Sequence, residues 1–374
     1  MQTKVIKLDA ANPDSAKIKE AAATLDTGGL VAFPTETVYG IACLLETNPL
    51  RRLDKLKGRH PDKHYTLHIG RKTDVEKYLP VIGLRAQKLI QNAWPGPLTI
   101  VFELDTRAVE KQRKCLDKHI SEILYKDNSI GIRCPDNPVA ALLLQSAKKS
   151  PVVAPSANIT GQPPATNADH VLAQLAGKID LLLDAGPCKY KKSSTVVKIG
   201  KKGLQILRPG IYSLSQLEAM SEIKFLFVCS GNTCRSPMAQ GMFAKNLAKK
   251  LQCPVDHLNK TGYKILSAGT MRIADMPASQ GSIAACAARG VDIKAHKSTA
   301  LSQHMVEESD FIFAMTRSHC EQIVALDPKS RSKCVLLAEE QDIVDPVGQS
   351  QQVYDNCAEL IERAVEKRLR ELVV

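Results

Sequence analysis

Residues 224–251 read KFLFVCSGNTCRSPMAQGMFAKNLAKKL, and few folds can hold that stretch. The apolar run KFLFV predicts a buried strand. Pro237 suits the first turn of a helix, and PMAQGMFAKNLAKKL spaces its apolar residues for an amphipathic one. The loop between them then lies at the carboxyl end of a buried strand, where open α/β sheets bind ligands. The segments that follow agree with this. YKILSAG, DFIFAMT and CVLLAE read as further strands with helices between them, and QQVYDNCAELIERAVEKRLREL reads as a long last helix. Strands alternating with helices predict a doubly wound parallel sheet.

The loop carries Cys229, Cys234, Arg235 and Ser236. Zinc is disfavoured, because the two cysteines lack knuckle spacing and no matching Cys/His pair follows nearby. The chain has 11 cysteines, an odd and scattered set, which argues against a secreted disulfide framework. No stretch approaches the roughly 20 apolar residues of a membrane span, and the N-terminal residues lack a signal-peptide core. The expected setting is cytoplasmic, with no membrane partner, and a resting disulfide is disfavoured there. A nucleophile fits best. Backbone N–H groups of the loop can curl around an anion, helped by the helix N-terminus. The same field favours a thiolate at Cys229. Arg235 can bind two phosphate oxygens side by side, and Ser236 can hydrogen-bond the sulfur. Such a phosphoryl-transfer cradle needs an acid for the leaving group. Asp345-Pro346 in QDIVDPVGQS offers one, although a lone Asp-Pro is ordinarily a turn.

With VCSGNTCRSPMAQ, ILSAGT, DIKAHKSTAL, SDFIFAMT and DIVDPVG in place, residues 224–374 resemble the low-molecular-weight protein-tyrosine phosphatase family. The resemblance implies that Cys229 is the nucleophile, Arg235 the phosphate binder and Asp345 the general acid. Ser230, Gly231, Asn232, Thr233, Cys234 and Ser236 make the phosphate loop, with His296 bracing Asn232. Cys234 resembles the family's second cysteine, which traps an oxidised nucleophile reversibly. Thr233 stands where tyrosine-directed members usually carry an aliphatic residue, and the arginine-phosphatase branch has threonine there. Val347-Gly348 occupy positions where tyrosine-directed members often place aromatics that stack on a phenol. Both features lean towards a phosphoarginine protein substrate over phosphotyrosine.

The first half carries most of the charge. Residues 221–374 hold 19 basic and 18 acidic side chains, against 51 and 39 in the whole chain, so residues 1–220 carry +11 of the net +12. That half is the better candidate for nucleic acid or nucleotide phosphates. It mixes strand-like runs (LVAFP, YTLHIG, LTIVFEL, SIGIRCP, PVVAPSA, LLLDAG, STVVKIG) with helical patterns. Polar groups gather at the strand exits. Lys57 and Arg59 are cations able to grip a triphosphate; Ser156 and Asn158 follow an apolar strand; Arg133 and Arg208 end two others. Their clustering suggests a phosphate-binding cleft.

These segments, over about residues 10–212, resemble the YrdC family of L-threonylcarbamoyladenylate synthases. The resemblance implies a twisted mixed-sheet α/β domain. It would join L-threonine, bicarbonate and ATP into threonylcarbamoyl-AMP and pyrophosphate for the t6A37 modification of tRNA. Lys57, Arg59, Ser156, Asn158 and Arg208 would hold ATP. Thr35, His68 and Arg133 would hold threonine, with Ser194 lining the same cleft. Magnesium would ride on the phosphates, with no protein metal site. A threonylcarbamoyl transferase complex would act downstream, and tRNA or double-stranded RNA is a further partner. The chain departs from the family where His60 separates Arg59 from Pro61, where Tyr65-Thr66 stands for Pro-Leu, and where Lys198 stands for Asp.

The expected organisation is a synthase domain over 1–215, a linker over 216–223 and a phosphatase domain over 224–374. Two alternatives stay open. The first half could be an inactive RNA-binding module, and the second an arsenate-reductase-like relative that passes a disulfide among further cysteines. Cys253, Cys286, Cys320, Cys334 and Cys357 are available for that.

Overall fold

The computed structural model describes residues 2–58, 64–200 and 203–374. The chain divides into two compact α/β units, Met1–Ile82 with Ala86–Met220, and Gly83–Arg85 with Ser221–Val374.

Among the described residues, the first unit is built on one mixed ten-stranded sheet. Its order is Lys4–Lys7, Leu181–Asp184, Val31–Phe33, Gly40–Leu44, Val152–Val153, Thr66–His68, Ser129–Arg133, Leu98–Glu103, Thr195–Gly200, Gly203–Arg208. Both faces are covered. Val31, Phe33, Ala42 and Leu44 pack into one core with Ile18 and Leu25 of helix Ser15–Asp26 and Val139 and Leu143 of helix Pro138–Ser146. Ala32, Ile41 and Cys43 point into the other core. Successive side chains alternate between faces, so a strand covered on both sides reads as an unbroken apolar run. Lys4–Lys7 and Gly40–Leu44 were not separated as strands by the sequence. The first is short and mostly exposed, and the second follows the Thr-Glu-Thr turn without a break in hydrophobicity.

The second unit has four parallel strands in the order Tyr263–Gly269, Ile223–Cys229, Phe311–Ala314, Cys334–Leu336. The chain starts in the middle of the sheet, runs to one edge and then crosses to the other side. That reversal opens a crevice at the carboxyl end of Ile223–Cys229. Period-two alternation sorts this strand too: Phe225, Phe227 and Cys229 face one core, Leu226 and Val228 the other. Phe243 of helix Arg235–Leu251 packs at 4.7 Å from Phe225 and 5.3 Å from Phe227, ring centre to ring centre. The helix is thereby seated over its own strand, and the joining loop is held between them.

The stretch expected as a linker is structured. Helix Leu214–Ser221 packs Leu217 and Met220 into the first unit's core, and the next strand begins at Ile223. The polar composition of SLSQLEAMSE concealed its one apolar stripe.

Candidate active sites in the two units

In the second unit, strand Ile223–Cys229 ends on the cysteine itself and helix Arg235–Leu251 starts on the arginine. Cys234 caps the helix without a side-chain hydrogen bond, so the first N–H groups are left for an anion. Asn232 turns the loop with φ 55°, a left-handed conformation that asparagine tolerates. Its own N–H then reaches Cys229 Sγ at 3.2 Å. Gly269 closes the back of the loop: a Cβ there would fall 2.6 Å from Ser230 O and 2.9 Å from Asn232 N.

The hydrogen bonds behind the loop have a definite polarity. The Asn232 amide donates to Ser236 Oγ at 2.7 Å and to Ser267 Oγ at 2.9 Å, while its Oδ1 accepts from Thr299 N at 2.7 Å. Ser267 passes its proton to Gln240 Oε1 at 2.6 Å. Ser236 Oγ, already accepting, is left with its own proton to direct at Cys229 Sγ, 3.0 Å away. His296 Nε2 donates to the Asn232 carbonyl at 2.8 Å. Burial holds His296 below its ordinary pKa, with that hydrogen bond opposing.

Arg235 is buried and fixed at both terminal nitrogens. Nη1 donates to Ile343 O at 2.9 Å; Nη2 donates to Ser230 Oγ at 3.1 Å and pairs with Asp345 Oδ2. Its Nε is buried with no partner, a donor available to a bound oxyanion. Asp345 is the more open partner, 36% exposed against 4% for Arg235. Thr233 sits on the loop, half-buried. Cys234 Sγ contacts Ser279 Oγ at 3.3 Å and Tyr354 OH at 3.8 Å. Of the other thiols, burial pushes Cys286 and Cys357 up to about 12. Met271, whose N–H donates to Ser230 O at 3.0 Å, and Val347, whose N–H donates to Asp345 Oδ1 at 3.3 Å, are exposed beside these groups, and neither carries a ring.

The first unit assembles its site from separate strands. His68 and Arg133 are partners in one parallel pair, and Arg133 and Thr99 in the adjoining antiparallel pair. The three side chains therefore stand in a row across the sheet. The Arg133 guanidinium donates to Glu36 Oε1 at 2.8 Å and Thr37 Oγ1 at 2.7 Å, with Thr35 Oγ1 at 3.4 Å. The ion pair with Glu36 is almost fully buried. His68 donates Nδ1–H to its neighbour Thr66 O at 3.1 Å; burial, then the Arg133 charge, pushes its pKa down to about 3. A neutral ring with Nδ1 protonated offers Nε2 as an acceptor.

The Ser-x-Asn loop is tied to the strand beside it by Ile41 N to Pro155 O at 2.8 Å and Ala157 N to Tyr39 O at 2.7 Å. Lys57 reaches across to it, donating to Ser156 O at 2.7 Å and to the Asn158 carbonyl. Arg208 donates to Ser194 O at 2.9 Å and Oγ at 3.0 Å. Gly210 lets that turn close, since a Cβ would lie 2.2 Å from Thr195 N.

Two adjoining cavities collect these groups. One of about 310 Å³ is lined by Lys57, Ser156, Asn158 and Arg208. One of about 90 Å³ is lined by Thr35, His68, Arg133 and Ser194, and shares Thr66, Ser156 and Arg208 with the first. Arg59, His60 and Pro61 lie outside the described residues. Lys198 pairs with Glu103 across neighbouring strands at 2.5 Å, and Tyr65 OH bonds the Asp54 carboxylate. Among the described residues the cavity linings hold cations, hydroxyls and amides but no carboxylate, and no cluster of three His, Cys, Asp or Glu gathers elsewhere. This donor set is compatible with magnesium carried on nucleotide phosphates. Sequence reasoning passed over Glu36 as an individual, Thr99, Ser267 and His319. The signal for Glu36 was its place between Thr35 and Thr37; for Thr99 and Ser267 only strand register could show it, and for His319 only the packing of helix Arg317–Leu326 against the loop. No helix among the described residues is long and apolar enough to cross a membrane.

Comparison with known proteins divides the chain the same way. The Sua5/YciO/YrdC family model, described as telomere recombination, matches residues 23–210. The low molecular weight phosphotyrosine protein phosphatase model matches residues 224–373. Threonylcarbamoyl-AMP synthase of Pyrococcus abyssi is 33% identical over 234 residues, 62% of this chain and 65% of that protein. The Bacillus subtilis enzyme of the same name is 33% identical over 213 residues, 57% of this chain and 58% of that protein. The chain thus spans less than two thirds of the length of these relatives. A solved double-alanine variant of Pyrococcus abyssi Sua5 superposes with a TM-score of 0.50 at 25% identity, covering 71% of this chain and 91% of that one.

Proposed function

Because the chain belongs to the Sua5/YciO/YrdC family through residues 23–210, and carries a low-molecular-weight phosphatase domain over 224–373, we propose that it is a fusion of two enzymes. In the first unit, the amine of L-threonine displaces water from bicarbonate to give a carbamate, whose oxygen attacks the α-phosphate of ATP, forming threonylcarbamoyl-AMP and releasing pyrophosphate. The product would supply t6A37 of tRNA through a downstream transferase. Thr35, His68, Arg133 and Ser194 hold threonine in the smaller cavity; Lys57, Ser156, Asn158 and Arg208 hold ATP in the larger, joined by Arg59. The observation that carries this reading is the shared wall of the two cavities, which would bring a carboxylate-bearing amino acid against a nucleotide phosphate. The work asked of the protein is positioning and charge neutralisation. Pyrophosphate release that needs both threonine and bicarbonate tests it. Release that ignores threonine would sink it and leave the RNA-binding alternative.

The second unit hydrolyses a phosphoprotein through Cys229. The sulfur attacks phosphorus while Asp345 gives a proton to the departing group. Water then attacks the cysteinyl phosphate, Asp345 takes its proton, and phosphate leaves. Ser236, whose hydroxyl proton is free for the sulfur, steadies Cys229 as leaving group. Substrate preference leans to phosphoarginine. Thr233 offers a half-buried hydroxyl on the loop, and the exposed Met271 and Val347, bonded to Ser230 and Asp345, provide no ring to stack on a phenol. Hydrolysis of phosphoarginine protein and phosphotyrosine peptide, measured side by side with Thr233→Ile, decides it. A shift towards phosphotyrosine is expected; no shift would leave Thr233 neutral.

A further inference from the structure

A histidine outside the phosphate loop completes the second site. His319 lies in helix Arg317–Leu326, is 4% exposed, and puts its ring between two hydroxyls. Nε2 is 3.0 Å from Ser230 Oγ, and Nδ1 is 2.8 Å from Thr316 Oγ1. The protons in this chain can be counted. A guanidinium only donates, so Ser230 Oγ accepts from Arg235 Nη2. Ser230 Oγ keeps a second lone pair and its one proton, so its contact with His319 Nε2 runs in either direction and the ring tautomer decides which. The ring is neutral: burial first, then the Arg235 charge, pushes its pKa down to about 4, against the pull of Asp345 and Asp342. A neutral ring accepting at Nε2 carries its own proton on Nδ1 and donates it to Thr316 Oγ1. Thr316 caps the helix and also accepts from His319 N at 3.3 Å, which fixes the ring at its base.

We propose that His319 is a positioning residue for phosphoryl transfer. As the Nδ1–H tautomer it draws the Ser230 proton away, so that Ser230 turns a lone pair to Arg235 and holds the guanidinium for the phosphoryl oxygens. This rests on reading the second unit as a phosphatase. A ring with a proton on Nε2 would instead donate to Ser230 Oγ, take away the acceptor of the serine proton and loosen one of the anchors of Arg235, the others being Ile343 O and Asp345.

Three variants separate this role from mere packing. The carbonyl of His319→Gln reaches about as far as Nε2 and can still accept from Ser230. His319→Asn reaches only as far as Nδ1 and keeps the Thr316 side; His319→Ala keeps neither. With p-nitrophenyl phosphate as substrate, His319→Asn and His319→Ala should lose about tenfold in kcat/KM, the worth of one charge-linked hydrogen bond. Inhibition by inorganic phosphate should weaken by a similar factor, and His319→Gln should recover most of both. Equal losses in all three, or Asn outperforming Gln, overturns the proposal. Independently of turnover, long-range proton–nitrogen NMR on the wild-type chain reads the tautomer. Nδ1–H near neutral pH supports the proposal, and Nε2–H or an imidazolium overturns it. A wild-type chain that hydrolyses no phosphomonoester would instead defeat the phosphatase reading, with the NMR result still deciding how the ring is protonated.

Discussion

In the second unit a single run, Cys229–Ser236, supplies the thiol, the loop N–H groups, the guanidinium and the hydroxyl beside the sulfur. In the first unit the corresponding groups come from turns and strand ends scattered between Thr35 and Arg208. One site is fixed by local backbone geometry: a strand end, one left-handed residue and a helix start. The other exists only once His68, Arg133 and Thr99 fall into register across neighbouring strands. A local site should lose function without losing fold. A dispersed site should couple the two, because its ligand-binding groups also join the sheet together.

The largest expected effect tests whether the two sites are independent at all. Cys229→Ser should take phosphatase turnover to background and leave threonine-dependent pyrophosphate release unchanged. Lys57→Ala should do the reverse, since it removes a cation that also grips the Ser156–Asn158 loop. Loss of both activities from either single change would break the comparison.

The next effect distinguishes how each site bears an ion pair. Arg133→Leu leaves Glu36 a buried carboxylate without its partner, both side chains being under a tenth exposed. The expected loss is about 3–5 kcal/mol of stability in the first unit, along with synthesis. Arg235→Leu strands Asp345, which is 36% exposed and can turn to water. Its cost in stability should stay under about 1 kcal/mol while phosphatase activity vanishes. Calorimetry of both variants checks the contrast, and equal unfolding shifts would erase it.

The same difference explains what the sequence disclosed. The strand–loop–helix around Cys229 was legible because its three parts are consecutive, and the structure places each of them where the apolar pattern put it. In the first half, the strand-exit cations and the Ser156–Asn158 pair were visible as types. That Glu36 holds Arg133, or that Thr99 stands beside it, depends on strand order and register, which local pattern does not encode. His319 was hidden for the same reason: it lies far along the chain from the hydroxyl it meets. The stretch expected as a linker misled because helix Leu214–Ser221 contributes only Leu217 and Met220 to the core.

A smaller effect sharpens the local case. Ser236→Ala removes the hydroxyl at 3.0 Å from Cys229 Sγ and the acceptor that Asn232 uses at 2.7 Å. Steady-state turnover should fall by about two to three orders of magnitude, as for loss of one donor to a developing charge. Breakdown of the cysteinyl phosphate should suffer more than its formation, which burst kinetics can resolve. Equal slowing of both steps would show that Ser236 only shapes the loop.

The smallest effect is one in which the two units should behave alike in sign and differ in range. Each holds a neutral buried histidine beside an arginine: His68 near Arg133, with its pKa down at about 3, and His319 near Arg235, down at about 4. Unfolded, either ring takes a proton near pH 6.5. Between that value and its folded pKa, the unfolded state therefore binds the extra proton, and stability falls as pH falls. Each histidine contributes a slope of at most about 1.4 kcal/mol per pH unit. The His319 contribution should level off near pH 4, whereas the His68 contribution should run on towards pH 3. Acid titration of the wild type against His68→Asn and His319→Asn, followed by thermal unfolding, isolates each share. His68→Asn should flatten the slope over the longer interval, and a slope unchanged by either substitution would mean that carboxylates alone govern acid unfolding in both units.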